Sequence, residues 1–289
     1  MSEDETNRKL LKPDCNFSHV IKICEDLFMF SEHHLVELKS YESYDDQNFY
    51  LKLNRESGEW ASNRLVLKIQ NGVDSHNLPL LEAQNRLMLH LRRCGVRTTT
   101  PLKAPNGQRV SHYRLPTKSG TPCRLALRLL DYVPGRALCD YEVSESDIED
   151  AGRLLGRFTQ AVACIGDGEG GGEGGDEYAG FRRTHSWDLQ HAEICWDFVG
   201  AVEDAADRAL LETVLQAYRD QVLPLRDKLR RSLIMGDFND TNIIRLPPWE
   251  YHRGSGGPGR PPPGGLEEEE EGAAAAQEVE GVGVGGGRR

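Results

Sequence analysis

The sequence predicts an α+β fold in two lobes, an antiparallel sheet with one inserted helix followed by a helical lobe. Three observations carry this. Short strand-like runs crowd residues 34–70 and 108–133, an amphipathic helix at 76–95 interrupts them, and the apolar spacing from 144 to 231 is helical.

In chain order, residues 18–29 place Val20, Ile23, Cys24 and Leu27 on one helical face, with Ser18 as the N-cap. HLVELKSYES, QNFYLKLN and NRLVLKIQ then read as three strands, joined by the polar bend SYDD and the turn NRESGE. Residues 76–95 form a helix whose Leu80, Leu81, Gln84, Leu87, Met88 and Leu91 share a face, with Gly95 placed to end it. TTTPLKA, QRVSHYRL and PCRLALRLLDYV are expected as further strands. Residues 144–163 open with a serine cap and an acidic first turn, and carry Ile148, Ala151, Leu154, Leu155 and Phe158 in register. Helices are expected again at 187–199 and 204–231, the latter with Leu210, Leu211, Val214, Leu215, Tyr218 and Leu225 inward. The expected division is a sheet lobe at 1–131, a helical lobe at 132–246 and a low-complexity tail at 247–289. The glycine-acid insertion 166–177 and the tail have no periodicity and are expected to be disordered.

Composition narrows the function. A net charge of −11 argues against a nucleic-acid partner, since phosphate backbones demand basic patches. No apolar run approaches the roughly 18–20 residues of a membrane span, and the polar first residues resemble no targeting peptide, so a cytoplasmic protein is expected. Seven scattered cysteines without a CxxC pair suggest neither a disulfide framework nor a zinc site. The G-x-G-x-x-G at Gly166, Gly168 and Gly171 is a decoy: it follows a helix and its acidic neighbours would repel phosphate.

Two features point to chemistry. Lys68 lies in LVLKI with apolar neighbours on both sides, and Glu82 lies in the helix that follows. Such a lysine commonly just snorkels at a sheet edge, but a strand lysine paired with a helix glutamate also positions nucleotide phosphates. The loop with Ser43 and Asn48 sits where the phosphates would be covered, although it has no glycine and would pass as an ordinary turn. Downstream, LIMGDFNDTNII packs Asp237 and Asn242 five residues apart on one bend between apolar triplets. Phosphoryl transfer needs a carboxylate to deprotonate the acceptor hydroxyl and an oxygen ligand to hold Mg2+, and this spacing delivers both. A hairpin turn without chemistry is the bland alternative.

With SYDDQNFY, LVLKI, LLEAQN, LRLLDYVPGR and GDFNDTNI in view, the chain resembles the aminoglycoside phosphotransferase and choline kinase superfamily. Within it, the resemblance is strongest to the branch that phosphorylates 5-hydroxy-L-lysine using GTP. The resemblance covers residues 18–246 and implies a protein-kinase-like fold with an incomplete helical lobe. It makes Asp237 the catalytic base, Asn242 a Mg2+ ligand and Lys68 the phosphate contact, supported by Glu82, Ser43 and Asn48. Leu129, Asp131 and Val133 would form the hinge beside the purine base of GTP, with ATP the less favoured donor. The implied partners are a purine nucleotide and a small-molecule acceptor, with no nucleic acid and no membrane.

The sequence departs from the family pattern twice. Met235 stands where the family has a histidine, and no aspartate follows Asp240, where the family has a metal-binding aspartate strand. The chain therefore reads as a kinase cut off mid-domain and extended by unrelated sequence. A catalytically inactive nucleotide-binding protein, or a kinase for another small hydroxylated or amino substrate, remains open.

Overall fold

The computed structural model describes residues 3–54, 62–163, 165, 177–183, 188–229 and 232–247. The expected disordered segments lie outside these residues, apart from Glu177 and Pro247, and so does the glycine decoy.

Five strands make one antiparallel sheet: β1 (Leu35–Tyr41), β2 (Gln47–Leu53), β3 (Arg64–Ile69), β4 (Ser111–Leu115) and β5 (Cys123–Asp131), in the order β1-β2-β3-β5-β4. TTTPLKA, expected as a strand, contributes only a bridge between Pro101 and Leu130. Pro101 has no N–H to give to a ladder.

Among the described residues, five α-helices accompany the sheet. The first, α1 (Glu3–Leu10), was not anticipated from sequence. The second, α2 (Phe17–Ile23), is capped by Asn16 rather than Ser18: the Asn16 side chain accepts from the His19 N–H, and His19 closes the reciprocal bond. Its last turn widens through Phe28 and stops at Met29, which adopts a φ of 61°. The inserted helix α3 (Leu78–Arg93) buries all six of its expected inward residues.

Strand alternation decides what each sheet face meets. Leu65, Leu67 and Ile69 of β3 join Phe49, Leu51, Leu125, Leu127 and Leu129 against Val20, Ile23 and Phe28 of the α2 region. Val66 and Leu130 turn the other way, onto Met88 of α3. The far side of α3 is covered as well, because Leu80, Ala83, Leu87 and Leu91 pack on Phe158, Ala161, Val162, Phe181 and Leu233. Each fully buried leucine there contributes about 1.5–3 kcal/mol, so α3 welds the sheet to the chain that follows. At Gly180 a Cβ would stand 2.2 Å from the Pro79 carbonyl oxygen, so this close approach requires glycine.

The later helices depart more from expectation. Ser144 caps α4 (Glu145–Val162) through a reciprocal bond with Asp147, and Phe158 is buried, but Ile148 faces solvent. The helix expected at 187–199 is a tighter 3-10 run over Leu189–Ala201, kinked at His191. The long helix expected at 204–231 ends early: α5 spans Ala205–Ala217, then widens and tightens again over Leu223–Lys228. Pro224 enters there without a backbone N–H. Leu210, Val214 and Leu225, expected inward, are exposed, and only Leu215 of α5 is buried. Their amphipathic pattern is real, but no described element covers it.

A second, two-stranded sheet pairs β6 (Arg136–Ala137) with β7 (Ile244–Arg245). A Cβ at Gly135, whose φ is +135°, would lie 2.3 Å from the Arg245 carbonyl oxygen, so VPGR needs its glycine for this closure. No described helix is long and apolar enough to cross a membrane.

Candidate active site

The bend between Leu233 and β7 is held from both sides. Leu233 is buried against α3, while the Leu138 and Cys139 N–H groups donate to the carbonyls of Ile243 (2.8 Å) and Asp240 (3.2 Å). Met235 is half-buried on the same apolar cluster, so packing positions it where the family pattern has a histidine.

Within the bend, the side chains lock one another. Asn239 Oδ1 accepts from the Thr241 N–H at 3.0 Å, the Thr241 hydroxyl at 2.7 Å and the Asn242 N–H at 3.2 Å. The exposed Asp237 carboxylate accepts from Asn239 Nδ2 at 2.8 Å and from Asn242 Nδ2 at 2.8 Å. Asn242 Nδ2 also reaches the Asp237 carbonyl at 2.9 Å. Both donors of that amide point at Asp237, which leaves its Oδ1 buried with no hydrogen-bond partner. A bare acceptor oxygen beside a carboxylate is chemistry suited to a hard cation. It stands alone: no group of three or more His, Cys, Asp or Glu side chains gathers to hold a metal among the described residues.

Lys68 lies in the sheet interior, not at an edge. It is 2% exposed and flanked in register by Asn48 on β2 and Arg128 on β5, so three polar side chains cross the α3 face in a row. Its ion pair is with Asp46, at 2.7 Å, and not with the expected Glu82. Glu82 is half-buried on α3. Asp46 lies in the bend just before β2, and its carboxylate reaches Lys68 from there. Asn48 Oδ1, Gln84 Oε1 and Asn85 Nδ2 are buried without partners, and Arg128 donates to Asn85 Oδ1 at 3.4 Å and to Gln70.

The remaining expected residues are placed as follows. The Ser43 and Tyr44 carbonyls both accept from Lys12, which straps the chain after α1 onto the β1–β2 loop. Leu129 faces the α2 side of the sheet and Val133 is half-buried beyond β5. The Asp131 side chain is occupied by Arg92 of α3, at 2.8 Å, and by the Thr100 N–H.

Sequence reading missed the ionic cluster behind the loop. Arg8 of α1 bonds Asp45 at 3.0 Å and holds Asp74 with two contacts of 2.8 and 2.9 Å, and Arg183 adds a third at 3.0 Å. Burial works against the charge on Asp74, but the two arginines outweigh it and hold its carboxyl below the usual range. Burial first, and then the Asp46 charge, push Asp45 up. The one available signal was the acidic pair in the bend just before β2.

A sequence profile of the phosphotransferase enzyme family matches residues 37–256. The chain belongs to that family. Among its relatives in the family, the hydroxylysine kinase of Mus musculus is 26% identical over 237 residues, covering 81% of this chain and 59% of the mouse protein. The hydroxylysine kinase of Xenopus laevis is 28% identical over 242 residues, with coverages of 81% and 59%. The chain thus spans 59% of the length of these relatives. An aminopropanol kinase structure superposes with a TM-score of 0.53 at 16% identity, covering 79% of this chain and 64% of that one. An amicoumacin kinase in complex with AMP-PNP and Ca2+ gives 0.51 at 14% identity, covering 84% and 63%. These two phosphotransferase structures share the α+β kinase-like fold described above.

Proposed function

We propose that this protein is a small-molecule kinase that transfers the γ-phosphoryl group of GTP to the hydroxyl of 5-hydroxy-L-lysine. The observation that carries the reading is the interlock of Asp237 with Asn242 on a bend inside the matched family region. The relatives named hydroxylysine kinase support the acceptor. The nucleotide analogue and Ca2+ in the amicoumacin kinase complex support a nucleotide with a divalent metal.

In this reading the Asp237 carboxylate receives the acceptor hydroxyl proton as that oxygen attacks the γ-phosphorus and GDP departs. Two amide donors, Asn239 and Asn242, fix the carboxylate's direction. Asn242 Oδ1 would help to hold Mg2+, and the metal would supply neutralisation of charge on the phosphates. Lys68 meets the phosphates from the sheet, beside Asn48 of β2 and beneath the loop of Ser43, and the backbone of Leu129, Asp131 and Val133 borders the purine. The cytoplasm is the expected compartment.

The test is a form of the protein extended by the carboxylate strand that the family pattern places after this loop, incubated with Mg2+, GTP and 5-hydroxy-L-lysine. Phosphorus NMR should show a new phosphate ester, formed faster with GTP than with ATP. Esters on other amino alcohols but none on hydroxylysine would overturn the acceptor.

A second reading has its own support. Asn242 is a neutral ligand, and residues 1–289 contain no aspartate after Asp240. As an isolated polypeptide, these residues would bind nucleotide weakly without turning it over.

A further inference from the structure

Four donors converge on one buried carboxylate in the β1–β2 loop. Lys68 Nζ lies 2.7 Å from Asp46 Oδ2, and Gln70 Nε2 lies 2.6 Å from the same oxygen. The Asn71 backbone N–H and Nδ2 reach Oδ1 at 2.6 and 3.1 Å. The Asp46 side chain has 0% exposure. A carboxylate so held belongs to the framework, since moving it would strand its donors in a dry interior.

The charges around it explain why it is needed. Lys68 and Arg128 stand directly opposite on β3 and β5, so two cations share one face of the ladder. Like charges so placed repel, and Asp46 supplies the opposing charge. An ammonium has three donors, so one fixed on Asp46 can also meet a phosphate oxygen.

We infer that Asp46 is the positioning residue for Lys68, filling the role expected of Glu82. This rests on the reading of Lys68 as the phosphate contact. Asp46 itself touches no substrate: it sets where the lysine nitrogen stands.

The test is acetylation of the full chain by a small amine-acylating reagent at fixed pH, read site by site by peptide mass spectrometry. Asp46→Asn should speed Lys68 labelling by about tenfold or more, because a buried ammonium deprived of its carboxylate is destabilised. Lys39 and Lys52 should keep their rates. Asp46→Glu should label more slowly than Asp46→Asn, and Glu82→Gln should match the wild type. If Asp46→Asn unfolds and all lysines label rapidly together, slow Lys68 labelling in Asp46→Glu and Glu82→Gln still supports the inference. Faster Lys68 labelling in Glu82→Gln, or unchanged labelling in a folded Asp46→Asn chain, overturns it. Protection of Lys68 by Mg·GTP in the wild type tests the kinase reading separately. Its absence, with the variant pattern intact, would sink that reading and leave the Asp46–Lys68 pair standing.

Discussion

Asn242 spends both of its amide hydrogens on Asp237, at 2.8 Å to the carboxylate and 2.9 Å to the carbonyl. One side chain thereby fixes the direction of the proposed base and leaves its own Oδ1 without a hydrogen-bond partner.

The first prediction concerns that base. In the extended form, Asp237→Asn should lower kcat about 10²–10⁴-fold, the usual worth of a positioned acid–base group. KM for the nucleotide should change little, because the base acts on the acceptor. Steady-state rates within threefold of the unaltered enzyme would remove Asp237 from the mechanism.

A second prediction concerns the cluster joining α1 to the loop. Arg8→Ala leaves Asp45 and Asp74 buried without their shared guanidinium, and breaking such a pair costs about 3–5 kcal/mol. Urea unfolding should show a loss of that order. A loss below ~1 kcal/mol would mean that α1 does not hold the loop.

The same cluster sets a dependence on pH. The folded pKa of Asp74 is depressed, so its stabilisation is fully present above the ordinary value of ~4 and is lost progressively as pH falls from there towards the depressed folded value. Asp45 is shifted the opposite way, so its ionised form costs stability and that cost fades on acidification. Asp74→Asn should therefore flatten the acid limb of stability, and Asp45→Asn should steepen it. Unfolding midpoints between pH 3 and 6 measure both slopes, and identical slopes in the three proteins would contradict the assignment.

Much of this was legible in the sequence, for a definite reason. The α3 leucines bury as their spacing demands because both faces of that helix meet partners. Lys68 stood out as the one charge in the apolar run LVLKI. Asp46 did not, because an acidic pair in a bend reads as solvated until the fold brings Lys68, Gln70 and Asn71 onto it. The inward face expected for α5 failed differently. Period 3.6 says where a helix could bury residues and cannot say whether a partner is present. Arg8 was hidden in a polar start with no signal of its long-range partners.

The uncovered face makes a prediction of its own. Leu210 and Val214 expose apolar surface one turn apart, at 63% and 55%, and such patches drive association. Purified residues 1–289 should self-associate in sedimentation velocity, and Leu210→Lys with Val214→Lys should reduce it. A concentration-independent monomer would show the face to be covered.

The most direct test of the account of the site is turnover by residues 1–289 alone, because the described bend offers one carboxylate, the proposed base, and one neutral amide oxygen, the proposed metal ligand. A hard dication prefers carboxylate oxygens, no cluster of three or more such side chains gathers among the described residues, and a γ-phosphate without its metal is left unaligned. Phosphorus NMR of the purified chain with Mg2+, GTP and 5-hydroxy-L-lysine should show no phosphate ester above background. Multiple turnovers abolished by Asp237→Asn would contradict the reading of these 289 residues as inactive alone, would support Asp237 as the base, and would mean that another group among them completes the metal site.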